Sequence, residues 1–245
     1  MPVGIVTGAS RGLGLALTHA LVDRGWRIVV DARDGEALRR EWGHPPHDVV
    51  LPGDIADPVH RRALIDAAGP SIDLVVNNAS TLGSTPLPAL GQYPPEELRG
   101  VYEVNVIAPL ALIQLALPHL TAGARILNIT SDAAVEAYEG WGGYGSSKAA
   151  LDQLTAVLAA EEPGLRWYAF DPGDMRTEMH QRAFPGEDIS DRPEPEAVVP
   201  ALLRLLDERP PAGRYRAAEL AADPADSADP ADPADPADSA ATVTS

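Results

Sequence analysis

Cysteine is absent from the 245 residues, which excludes disulfides and thiolate metal sites. Lysine occurs once against 18 arginines, and aromatic residues make up only 5% of the chain. A surplus of positive charge is missing as well: the formal charge of −17 argues against a broad basic face for nucleic acid. The six histidines (His19, His44, His47, His60, His119 and His180) show no metal-ligand spacing, and no G-x-S-x-G elbow occurs, so metal and acyl-transfer chemistry are unsupported. The chain starts with strand-like Val3-Gly4-Ile5-Val6 rather than a basic segment and apolar signal, so a cytoplasmic protein is the expectation. The longest apolar stretch, Val104 to Leu120, contains Asn105, Pro109, Gln114, Pro118 and His119. That composition predicts a buried helix and not a membrane span.

An apolar content of 45% in a chain of this length predicts one domain with a substantial core. Residues 221–245 are different: they repeat Ala-Asp-Pro or Ala-Asp-Ser and hold six Asp with no Lys or Arg, which leaves −11 for residues 1–220. Such a segment lacks the apolar surface that offsets the entropy of ordering, so a disordered tail is expected after a domain spanning 1–220.

The lone lysine carries the chemistry. Lys148 follows Tyr144 by four residues at the start of an apparent helix running to about Glu161, which puts phenol and ammonium on one face. Random placement would put the lysine in that register to one of six Tyr roughly 2% of the time. A cation beside a phenol favours the phenolate, so the Tyr144 pKa is expected to fall toward the working pH. Thirteen residues before Tyr144, Ser131 ends the apolar run 124–130, which reads as a buried strand.

Ser-x12-Tyr-x3-Lys resembles the short-chain dehydrogenase/reductase family, and further matches extend over residues 3 to 217. The resemblance implies that Ser131 bonds the substrate oxygen, Tyr144 is the general acid/base, and Lys148 lowers its pKa and holds the nicotinamide ribose. Asn105, in Val104-Asn105-Val106, would be the fourth catalytic member, supporting a water path to Lys148. An amide within the apolar stripe of a long helix from about Pro95 to Leu120, which Pro109 is expected to kink, otherwise marks a structural hydrogen bond.

Near the start, Val3 to Thr7 reads as a strand, followed by Thr7-Gly8-Ala9-Ser10-Arg11-Gly12-Leu13-Gly14 and an amphipathic helix. Glycines let backbone approach a pyrophosphate, and the helix start offers free N–H groups. The T-G-x3-G-x-G spacing is that of the same family, so Gly8, Ser10, Arg11, Gly12, Leu13 and Gly14 are cofactor candidates. Further matches are Gly53-Asp54-Ile55 for the adenine, Asn78-Ala79 in an N-N-A-S variant of N-N-A-G, and Pro172-Gly173 with Thr177 in P-G-x3-T for the nicotinamide. Asp54 could instead cap the helix beginning near Asp57, and the Asn side chains could support the turn.

The second strand, Trp26 to Val30, leads into Asp31-Ala32-Arg33, where the cofactor is chosen. Ala32 fills the position of the family's NAD-selecting carboxylate, and Arg33 stands where its NADP-binding members carry a base. Arg11 offers a second phosphate partner, so the cofactor is expected to be NADP(H). Seven strands alternating with helices imply a single-domain α/β protein, a doubly wound parallel seven-stranded sheet of the Rossmann fold.

Gly140-Trp141-Gly142-Gly143-Tyr144 and the segment 157–163, leading to Thr177-Glu178-Met179, resemble sepiapterin reductases and bacterial diketone (benzil) reductases. The implied substrate is a ketone or vicinal dicarbonyl on a planar framework, with Trp141, Met175 and Met179 as wall residues. Only Glu219 could supply the carboxylate that anchors pterin in sepiapterin reductases. The expected activity is therefore carbonyl reduction or alcohol oxidation with Tyr144 as acid/base, in a homodimer or homotetramer. A non-catalytic NADP(H)-binding sensor and an epimerase or dehydratase of the extended family are the rival functions.

Overall fold

A computed structural model describes residues 1–42 and 49–221. His44, His47 and the expected acidic tail from residue 222 onward lie outside the described residues. The strands are β1 (Val3–Val6), β2 (Arg27–Ala32), β3 (Val49–Pro52), β4 (Ile72–Asn77), β5 (Leu120–Ile129), β6 (Arg166–Asp171) and β7 (Gly213–Arg216). They form a 7-stranded sheet in the order β3-β2-β1-β4-β5-β6-β7, every pairing parallel. Each expected strand is present, with ends shifted by a few residues.

The helices are α1 (Gly12–Asp23), α2 (Gly35–Trp42), α3 (Pro58–Ala68), α4 (Pro95–Tyr102), α5 (Ala108–Ala116), α6 (Gly142–Glu161), α7 (Glu178–Ala183), α8 (Pro195–Glu208) and α9 (Ala217–Ala221). Successive residues of a strand face opposite sides, and β2 shows the consequence. Ile28 and Val30 pack with Leu13, Leu17 and Leu21 of α1 and Leu202 and Leu205 of α8, whereas Val29 packs with Leu64 of α3 and Leu112 of α5. Both sheet faces are thus covered, as a parallel sheet of near-continuous Val, Ile and Leu requires. Truncating a fully buried leucine such as Leu202 to Ala would cost about 2–5 kcal/mol.

Two details depart from expectation. The long helix is interrupted by a π turn over Glu103–Ile107 rather than by a bend at Pro109, which sits in the first turn of α5. Pro109 has no N–H to give the carbonyl four residues earlier, that of Asn105, so regular α-helix fails there and the wider turn takes its place. At the other end, α9 extends the fold to Ala221, with Leu220 packed on the core and its carbonyl accepting from Arg204. This short helix is the last of the described elements.

Because β1 lies between β2 and β4, the chain reverses direction across the sheet at that point, and a crevice opens at the carboxyl ends of the strands.

Candidate functional site

A cleft of about 850 Å³ runs along those carboxyl ends. Of the catalytic, cofactor and wall residues singled out from the sequence, Gly14 and Asn105 lie behind its surface and the others line it. The glycine-rich turn forms its floor. Gly8 has φ +70° and a Cβ there would meet Ala79 Cα at 2.9 Å, while a Cβ on Gly14 would meet Asn78 Nδ2 at 2.4 Å and Gly8 O at 2.5 Å. Only hydrogen fits at either position. Thr7 Oγ1 accepts from the Asn78 and Ala79 amides, and Asn78 Nδ2 donates to Thr7 O and Gly8 O. The Asn78 side chain thus clamps the turn from below. Asn77 donates to Asn128 at 2.7 Å, and Asn128 to Thr155 of α6, a buried amide chain tying the sheet to the helix that carries Tyr144.

At the end of β2 the structure adds what local sequence could not reveal. The Asp31 carboxylate is buried, one oxygen accepting from Gly8 N–H at 2.8 Å and the other paired with His60 Nε2 of α3 at 3.1 Å. Both oxygens are occupied within the fold. Beyond them Arg33 is exposed at the rim, without an ion pair among the described residues, and Arg11 pairs with Asp34 and with Glu178 of α7. Asp54 is exposed, its carboxylate accepting from Ala56 N, and the cap of α3 is Asp57, not Asp54. Ile55 and Leu13 border the cleft from the core, and Ser10 is 9% exposed at its floor.

Tyr144 and Lys148 enter from the first turns of α6, and both are buried. Gly145 permits this close seating, since a Cβ there would meet Ala133 O at 2.5 Å. Lys148 Nζ donates to Ile129 O at 2.7 Å and lies 5.5 Å from the centre of the Tyr144 ring. Burial pushes the ammonium down to about 8, opposed by the charge of Asp152. The phenol moves the other way from the expectation. Burial pushes it well above the usual tyrosine range, Asp171 and Asp132 add to the rise, and hydrogen bonding by Ser80 and Ser131 opposes it. The physical reason is that desolvation of the phenolate outweighs the hydrogen bonds from Ser80 and Ser131. Tyr144 therefore holds its proton at neutral pH.

Ser131 caps the 3-10 turn Asp132–Ala134, accepting from Ala133 N while its hydroxyl donates to Asp132 Oδ1 at 2.9 Å. The Asn105 side chain is fully occupied: Oδ1 accepts from Ser80 Oγ and Thr81 N, and Nδ2 donates to Thr81 O and Ser147 Oγ. It acts as a buried hydrogen-bonded strut between the π turn, the loop after β4 and α6, the structural role that the sequence left open for this amide. Thr177 caps α7, its Oγ1 accepting from His180 N, and Gly173 N donates to Asp171 Oδ1 in the turn after β6.

The wall opposite the phenol is apolar. Trp141 and Met179 pack with Leu82, Leu87, Ala183 and Tyr144, and Trp141 makes ring contacts with Tyr144 at 5.7 Å and Phe184 at 5.8 Å. Met175 also borders the cleft, but packs against the main core instead of this group. Leu82 and Phe184 escaped the sequence analysis because each is a lone apolar residue in a polar connection, with no periodicity to mark it. Glu219 lies on α9 and accepts from Arg216 N, apart from the cleft lining.

A sequence model described as short chain dehydrogenase matches residues 2–188. A sepiapterin reductase of Bos taurus is 33% identical over 201 residues, 73% of this chain and 74% of its own length. A benzil reductase ((S)-benzoin forming) of Saccharomyces cerevisiae is 30% identical over 235 residues, 85% of this chain and 86% of its own length. Among solved structures, a short chain dehydrogenase from Shigella flexneri 2a complexed with NADP superposes with TM-score 0.82 at 27% identity, covering 89% of this chain and 97% of that one.

Proposed function

The chain belongs to the short-chain dehydrogenase/reductase family and is an oxidoreductase, and from that premise we propose that it interconverts a ketone or diketone and its alcohol with NADP(H), Tyr144 exchanging the oxygen's proton. The observation that carries this is a buried phenol grouped with the hydroxyls of Ser80 and Ser131 beneath an apolar aromatic wall. Such a phenol carries the proton that carbonyl reduction consumes, and hydrogen bonds from Ser80 and Ser131 oppose the effect of burial and so ease its release. Ser131 holds the carbonyl oxygen beside it, and Trp141, Met179, Leu82 and Phe184 exclude water and favour a flat, apolar substrate.

The glycine cradle, the start of α1 and the two arginines at the rim fit a nicotinamide dinucleotide phosphate, which when bound supplies the hydride. Arg33 and Arg11 would hold its 2′-phosphate. The occupied carboxylate of Asp31 favours the same choice, since a free one would bond the ribose hydroxyls of NAD and repel the phosphate. Lys148 would hold the nicotinamide ribose, Thr177 and the Pro172-Gly173 turn the carboxamide. The relatives named for sepiapterin and benzil reduction, and the neighbour complexed with NADP, support this reading. A cytoplasmic, homo-oligomeric enzyme is part of it, with exposed Ile107 and Val157 on the helices that would pair subunits. Light scattering at micromolar concentration should give at least twice the chain mass.

The test is oxidation of NADPH and NADH against benzil, simple ketones and sepiapterin. Turnover with NADPH and a diketone is expected. NADPH binding without turnover of any carbonyl would favour a cofactor-sensing role instead.

A further inference from the structure

Arg214 of β7 is remote from every motif, yet it contacts three parts of the site's supporting layer. Its Nη2 donates to the Ser131 carbonyl at 3.0 Å and to Asp171 Oδ2 at 2.9 Å, and its Nε donates to Asp152 Oδ2 at 3.2 Å. Asp171 is 2% exposed and ends β6, where its other oxygen shapes the turn at Gly173, and Asp152 lies one helical turn beyond Lys148 on α6. We propose that Arg214 is a positioning residue, holding Ser131 and the Asp171–Gly173 turn in place and balancing the two carboxylates behind Tyr144 and Lys148.

A guanidinium suits the task because its planar fork sets Nε on Asp152 and Nη2 on Asp171 and the Ser131 carbonyl, two separated nitrogens where an ammonium offers one. The buried Asp171 and the part-buried Asp152 would otherwise be less compensated; Asp171 makes it harder to form the phenolate, and Asp152 favours the charged form of Lys148. Arg216 helps less: its Nε is 3.7 Å from Asp171 and the side chain is 49% exposed. The charged and titratable groups that bear on Tyr144 and Lys148 include Asp152 on α6, Asp132 and its partner Tyr138 after β5, Asp171 on β6, and Arg214 and Arg216 on β7, which contact these carboxylates. Among them Arg214 is the one that spans α6, β5 and β6 together. In the absence of Arg214, Asp171 would act on the phenol at closer to full strength, which agrees with Asp171 already raising the Tyr144 pKa.

This rests on Tyr144 as the proton donor proposed above, so the readout is chosen to be independent of turnover. A difluorotyrosine placed at position 144 lowers the phenol's titration into an accessible range, and its fluorine shift is followed against pH in the full-length protein. Arg214→Gln should move the midpoint up, and Asp171→Asn should move it down, each by about 0.5–1 pH unit, less than a bare neighbouring charge would cause because Arg216 remains. Arg214→Lys keeps the charge and should hold the midpoint, while carbonyl turnover falls several-fold through a misplaced Ser131. Should Arg214→Gln not fold, the Asp171→Asn and Arg214→Lys arms decide. An unmoved midpoint in folded Arg214→Gln or Asp171→Asn, or shifts of the same sign in both, would overturn the proposal. Absence of carbonyl turnover in wild type alongside the expected opposite shifts would instead refute the proposed function and leave the role of Arg214 standing.

Discussion

Replacing Lys148 with Met removes a buried cation and should make the fold more stable at neutral pH while abolishing useful activity. The side chain is 2% exposed, it donates a hydrogen bond to Ile129 O, and its pKa falls from 10.5 to about 8, mainly through burial. The sign follows from proton counting. Between pH 8 and 10.5 the unfolded chain keeps the proton that the folded chain has released, so folding becomes more favourable as pH rises through that window. Below pH 8 the folded protein carries the whole penalty, about 3 kcal/mol for a shift from 10.5 to about 8. The advantage of Lys148→Met over wild type should therefore be largest at pH 7 and shrink by about 3 kcal/mol on approaching pH 10.5. Urea unfolding of both proteins at several pH values, without added dinucleotide, measures that difference and cancels the titration of all other groups. Midpoints that run parallel across the window would refute the reasoning, because a lysine that stays charged in the fold at pH 10 has not been desolvated as described.

Tyr144→Phe should lower carbonyl turnover by about two to four orders of magnitude with little change in NADPH affinity, and near-normal turnover would remove Tyr144 from the mechanism. Arg33→Asp should reduce kcat/KM for NADPH by about 10-fold or more and leave NADH much less affected, so the ratio of the two cofactors in wild type and variant is the measurement. A wild-type preference for NADH would overturn the choice of cofactor. Asp31→Ala strands the Gly8 amide and His60 in a buried place, and a loss of about 2–4 kcal/mol in denaturant unfolding is expected. Deleting residues 222–245 should leave activity and unfolding midpoint nearly unchanged, because that composition buries little, and a large drop in midpoint would assign the segment a structural part.

Much of the fold was legible because it depends on local pattern. Apolar runs of three to seven residues between helical segments marked six of the seven parallel strands, β7 alone lacking one, and glycines at Gly8 and Gly14 announced a turn where backbone segments nearly touch. The Tyr144 to Lys148 spacing lies within one helical turn, so the sequence alone placed both groups on a common face. What it could not state is how their surroundings price the two charges, since desolvation depends on every element packed over them. That burial reversed the expected direction for the phenol. The same limit applies to partners distant in the chain. His60 lies 29 residues from Asp31, and Arg214 lies 83 residues from Ser131, separations at which no periodicity links one position to the other. Only the closing of the sheet, with β7 beside β6 and α3 beneath β2, brought them together. The sequence by itself determined the order of elements and the inventory of reactive groups, both written in spacings within a few residues. Tertiary packing decided which of those groups are occupied, which are buried and which remain free at the rim, because long-range contacts set both desolvation and hydrogen-bond pairing.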